Sequence, residues 1–193
     1  ASAGQVRGMH SWIDNSSDRW ISAGSYNKLY IYSGAGIQYD ITPTGFTAGN
    51  EDALQPVGYG NSFYGQEYYG TARQESVTIT PATTWSSDSW GQYLVACSSS
   101  DGKVYEWQLN TGTIAAVIAN APVNNRSILV TEERFLMCLG AGGNPRLVQW
   151  SDREDNTVWT PAATNEAGSL ELQTTGRIQC GVRVQNQALI LTD

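Results

Sequence analysis

The chain is poor in charge. Only 15% of its 193 residues are Asp, Glu, Lys or Arg, well under the roughly 25% usual for soluble domains. Eleven basic residues, scattered singly, stand against 18 acidic ones, for a net charge of −7. Sequence-independent nucleic-acid binding needs clustered Lys and Arg that displace counterions, and the sequence has no such cluster. Histidine occurs once, as His10 between Met9 and Ser11 on an expected strand. It is read as a surface or rim residue, because a nucleophilic triad needs a base with its partners. Cys97, Cys138 and Cys180 lie 41 and 42 residues apart with no CxxC pair. Zinc is therefore not expected, and the thiols read as unpaired small hydrophobes in equivalent strands. No stretch approaches the roughly 18 apolar residues of a membrane span, and residues 1–8 lack the apolar core of a signal peptide.

Helix signals are also scarce; the best, residues 114–121, is short and β-branched. No GxGxxG opens a helix, and Gly140-Ala141-Gly142-Gly143-Asn144 joins two expected strands as a hairpin turn. Two glycosylation triplets occur, at Asn15 and Asn125, of a kind that arises often by chance.

Hydrophobic residues, by contrast, make up 40% of the chain, enough for a packed core. The polar role falls to Ser, Thr, Asn, Gln and Gly, the composition of all-β proteins. Three segments share one layout. Trp20-Ile21-Ser22-Ala23-Gly24 leads through Asn27-Lys28 into Leu29-Tyr30-Ile31-Tyr32. Tyr93-Leu94-Val95-Ala96-Cys97 leads through Asp101-Gly102 into Val104-Tyr105-Glu106-Trp107. Phe135-Leu136-Met137-Cys138-Leu139 leads through Gly142-Gly143-Asn144 into Leu147-Val148-Gln149-Trp150. Each reads as a hairpin, and a fourth starts at Cys180 and returns through residues 188–192. The later units recur at about 42 residues, within the period of a four-stranded propeller blade.

The expected fold is thus all-β: a partial β-propeller of four-stranded antiparallel blades, 1–193, with units near 20–42, 85–109, 128–151 and 178–192. A Gly/Tyr-rich inserted loop, 44–76, is expected outside the body and in contact with another subunit. The apolar strand 188–192 suggests a fragment of a longer chain.

Three acids, Asp152, Glu154 and Asp155, sit between Trp150 and Trp159. They could chelate a cation or serve as glycosidase carboxylates. The alternative is a solvated turn with the tryptophans packing between blades, and that reading is preferred. Residues 86–91, Ser-Ser-Asp-Ser-Trp-Gly, read as a second turn of the same type. No catalytic, cofactor-binding or metal-binding residues are assigned, and the chain is not expected to be an enzyme.

Taken in order, several fragments resemble structural proteins of tailed bacteriophages. They are Val6-Arg7-Gly8-Met9 with Trp12, Tyr39-Asp40-Ile41-Thr42-Pro43, Tyr69-Gly70-Thr71-Ala72-Arg73, Trp85-Ser86 through Trp90-Gly91, Val148-Gln149-Trp150-Ser151-Asp152, Trp159-Thr160-Pro161 and Asn165-Glu166-Ala167-Gly168-Ser169. The resemblance extends over nearly the whole chain. It implies a β-propeller-bearing tail nozzle or tail-tube-extension protein of the virion. Such a protein forms an oligomeric ring, expected to be a hexamer, with other tail or adaptor proteins as neighbours and DNA only in transit. It implies no cofactor and no membrane span. The alternative is a propeller module that binds a host-surface glycan or receptor; a glycan-degrading enzyme is a third class.

Overall fold

The structure, a computed structural model, describes residues 3–54, 80–185 and 187–193. It is all-β: among the described residues the one helical element is a 3-10 turn, Ala141–Gly143.

Strands follow one another as antiparallel meanders. Sheet 1 holds β1 (Met9–Ile13), β2 (Arg19–Gly24), β3 (Leu29–Ser33) and β4 (Gln38–Asp40). Sheet 2 holds β5 (Trp85–Trp90), β6 (Tyr93–Ser98), β7 (Val104–Trp107) and β8 (Ala116–Val117). Sheet 3 holds β9 (Ser127–Val130), β10 (Leu136–Leu139), β11 (Leu147–Trp150) and β12 (Gly168–Glu171). A hairpin of β13 (Ile178–Val184) and β14 (Gln187–Thr192) comes last. Within each four-stranded sheet the spatial order is the chain order.

The sheets pack face to face. Trp12, Leu29, Ile31 and Ile41 of the first meet Trp85, Leu94, Ala96, Tyr105 and Trp107 of the second. The opposite face of sheet 2, with Trp90, Val95, Cys97 and Val104, meets Ile128, Val130, Leu136 and Cys138 of sheet 3. Leu139 and Val148 then meet Ile178, with Met137, Trp150 and Ile190 packed around them. Because sheets 2 and 3 are covered on both sides, β6 and β9 are nearly continuous apolar runs rather than alternating ones. The first strands gather on one side of the stack, β1 beside β5, β5 beside β9 and β9 beside β13.

The expected hairpins are present, but the units are larger than the sequence indicated. Sheet 1 begins with β1, before Trp20, and sheets 2 and 3 each gain an outer strand, β8 and β12. Those outer strands carry mostly exposed residues, so they leave little hydrophobic pattern to read. Cys97 in β6 and Cys138 in β10 hold equivalent second-strand positions, whereas Cys180 lies in β13, the strand packed beside β9. The three cysteines are free thiols, two buried and Cys180 exposed.

The expected loop over 44–76 divides differently. Phe46 packs between Trp85 and Tyr105, with ring centroids 5.2 and 6.4 Å away, so residues 44–54 lie on the body. Leu54 and Thr80 pair as an antiparallel bridge; residues 55–79 lie outside the described residues.

Candidate functional site

The expected turn at 86–91 is instead β5, and its polar residues join neighbouring sheets. Side chains alternate across a strand, so Ser86, Asp88 and Trp90 face sheet 3 while Trp85, Ser87 and Ser89 face sheet 1. Ser86 Oγ donates to the Ile128 carbonyl (3.0 Å) and accepts from the Ile128 N–H (3.1 Å). Asp88 Oδ2 accepts from the Val130 N–H at 2.8 Å. In an antiparallel pair the backbone groups of every other residue point away from the partner strand. Ile128 and Val130 are those residues in β9, and β5 supplies side-chain partners where no strand does. The sequence carries no periodic signal for this strand: Trp85 and Trp90 stand five residues apart and so face opposite sides, with only polar residues between them.

His10 lies on the other side of β5 and is half-buried. Its Nε2 is 2.8 Å from Ser89 Oγ, and its ring stacks on Trp12 with centroids 5.8 Å apart. Burial holds its pKa below the usual value; Asp88 opposes that shift and Arg183 adds to it. A base and a hydroxyl at this distance have the spacing of a nucleophilic pair. The nearby carboxylate does not complete a triad, since Asp88 accepts from Val130 N–H through one oxygen and from Ser89 N–H (2.8 Å) through the other. The group works as a polar seam: His10–Ser89 ties sheet 1 to sheet 2, and Ser86 and Asp88 tie sheet 2 to sheet 3.

The acidic turn is internally tied. Asp152 Oδ1 accepts from the N–H groups of Arg153 (2.9 Å) and Glu166 (2.8 Å). Asp155 Oδ1 accepts from the N–H (2.9 Å) and hydroxyl (2.6 Å) of Thr157, and these bonds hold its pKa below the ordinary carboxylate value. Glu154 is exposed in a left-handed conformation, φ 58°. Among the described residues no group of three or more His, Cys, Asp or Glu side chains is placed to hold a metal ion. Trp159 is buried in the core between sheets 2 and 3, and its Nε1 donates to the Asn156 carbonyl at 2.7 Å. Trp150 packs between sheet 3 and the final hairpin. The tryptophans thus pack between sheets, as the sequence indicated.

The fold and the seam define an all-β protein of consecutive antiparallel sheets, joined through apolar faces and through side chains of their first strands. No protein-family model, curated protein or solved structure matches this chain.

Proposed function

We propose that the chain forms part of a β-propeller in a structural component of a bacteriophage tail, a nozzle or tail-tube extension that assembles as a ring around the DNA channel. The observation that carries this reading is the stack of successive meanders with adjacent first strands, the relation that propeller blades bear to one another. The polar seam suits a mechanical role, because it resists sliding between sheets where apolar contact alone would permit it. A net charge of −7 suits a wall past which DNA moves without adhering. Ring assembly follows the logic of heterologous contacts that close on themselves, and the resemblance to tail proteins points to six copies.

The test is electron microscopy of purified virions, with antibody against the chain and mass spectrometry of tail components. The expected result is label at the distal tail and density with blades arranged about an axis. Absence of the chain from virions, or density that shows a two-sheet sandwich, overturns the proposal.

A further inference from the structure

A cavity of about 280 Å³ opens among the loops at one end of sheets 2 and 3 and the start of the hairpin. It is built from two kinds of loop, each used twice. Residues 99–102 turn from β6 to β7, and residues 140–145 turn from β10 to β11. Residues 124–126 lead from sheet 2 into sheet 3, and Arg177 leads from sheet 3 into the hairpin. The volume is close to the lower end of the roughly 300–1,000 Å³ typical of small-molecule sites.

Its walls are held rigidly. Gly102 has φ +61°, and a Cβ there would stand 2.4 Å from Asn124 Cα, so the two backbones are in direct contact. Asn125, only 4% exposed, clamps the loops: its Nδ2 donates to the carbonyls of Gly102 (2.8 Å) and Pro122 (2.6 Å). Both donors of that amide are thus engaged, and its Oδ1 is buried behind the wall, so Asn125 serves to hold the loops rather than to contact a ligand.

The charges on the lining select the ligand. Arg126 and Arg177 both line the cavity, in a chain with 11 basic residues in all. Arg126 reaches neutral Gln179 at 3.4 Å, and Arg177 lies 3.5 Å from Asp193 with its side chain 68% exposed. Each guanidinium has five donors, so both can still bind a carboxylate in the forked geometry arginine favours. Asp101 also lines the space, accepting from the Tyr105 hydroxyl and the Lys103 N–H. A carboxylate beside two arginines disfavours a phosphate dianion but accepts from hydroxyl groups. Among the described residues no aromatic ring lines the cavity, so none supplies the stacking a nucleobase would use.

We propose that this cavity binds an acidic sugar residue of the uronic-acid type, as found in acidic polysaccharides. Arg126 and Arg177 hold the sugar carboxylate, and Asp101 accepts from a ring hydroxyl. This site goes beyond the structural role proposed above and does not depend on ring assembly, because binding is measured on the isolated chain.

The experiment is isothermal titration calorimetry with trimers of galacturonate, glucuronate and mannuronate, their methyl esters, and sodium sulfate. At least one free-acid trimer binds, and its ester, which keeps every hydroxyl but loses the charge, binds at least about tenfold more weakly. Arg126→Gln and Arg177→Gln each weaken the acid by a similar factor. Arg177 is exposed, so its variant keeps the wild-type unfolding midpoint and serves even if Arg126→Gln folds poorly. Three results overturn the proposal: no heat with any trimer, equal binding of acid and ester, or sulfate binding as tightly as the acid, which marks a plain anion site.

Discussion

Gly24 lies against the Trp85 indole so closely that a Cβ at residue 24 would stand 2.3 Å from Trp85 Cγ. The indole cannot retreat, because its Nε1 donates to the Ser25 carbonyl at 2.7 Å in a buried bond and Phe46 packs on it. Gly24→Ala therefore overpacks the junction between sheets 1 and 2 and is expected to cost about 1–3 kcal/mol. Urea denaturation measures this, and a double-mutant cycle with Trp85→Leu should recover part of the loss. Strictly additive losses would show that the clash is not with the indole.

Asp88→Ala leaves the Val130 N–H without its acceptor, at a cost of about 1–3 kcal/mol. Asp88→Asn keeps an acceptor oxygen and loses less. Hydrogen exchange locates the effect: in Asp88→Ala the amide of Val130 exchanges faster, and in Ser86→Ala that of Ile128. Unchanged protection at both would mean that the seam is not held by these side chains.

His10 gives the fold a defined pH response. Its folded-state pKa lies below the usual 6.5, first through burial, with Arg183 adding to the shift and Asp88 opposing it. The fold therefore favours the neutral ring. Its contribution is complete above the unfolded-state value and is lost as pH falls through the lower folded-state value. Between pH 7.5 and 5 the wild type should lose more stability than His10→Gln; parallel curves would place the pH dependence elsewhere.

The thiols should separate by reactivity. Cys180 is exposed, while burial pushes the Cys97 and Cys138 thiols well above their usual range. A thiolate is the reacting species, so Ellman's reagent should label one cysteine quickly in the native protein and three in denaturant. A denatured count of one would reveal a bridge.

At the acidic turn, Asp152→Ala should cost about 1 kcal/mol through its bonds to Arg153 and Glu166, whereas Glu154→Ala should leave thermal stability unchanged. Incubation with acidic and neutral host glycans is the accompanying activity assay. Oligosaccharide release abolished by mutating Asp152 or Asp155 would assign the turn a catalytic part.

What the sequence disclosed follows from what was buried. Leu94 to Cys97 and Leu136 to Leu139 lie in the interior, so their apolar runs marked the hairpins plainly. Ala116, Val117 and Leu170 lie on outer strands exposed to solvent, where strand pairing is set by the neighbouring strand and leaves no periodic pattern. The seam was hidden for a different reason. Ser86, Asp88 and Ser89 resemble turn residues because they bond readily to backbone; here the backbone they meet belongs to the next sheet, which no local reading could anticipate. Asn125 and Arg126 came to notice only as part of a glycosylation triplet, and their place beside Asp101 and Arg177 depends on loops from three parts of the chain.

The tryptophans that fill the junctions also make each one separately observable. Trp12, Trp20, Trp85 and Trp107 occupy the first interface, Trp90 and Trp159 the second, and Trp150 the third. Stacked units held mainly by nearest-neighbour contacts can open one interface at a time. Variants that keep the fluorophores of one interface, with phenylalanine at the others, would therefore report the order in which the stack comes apart, read as successive shifts in indole emission.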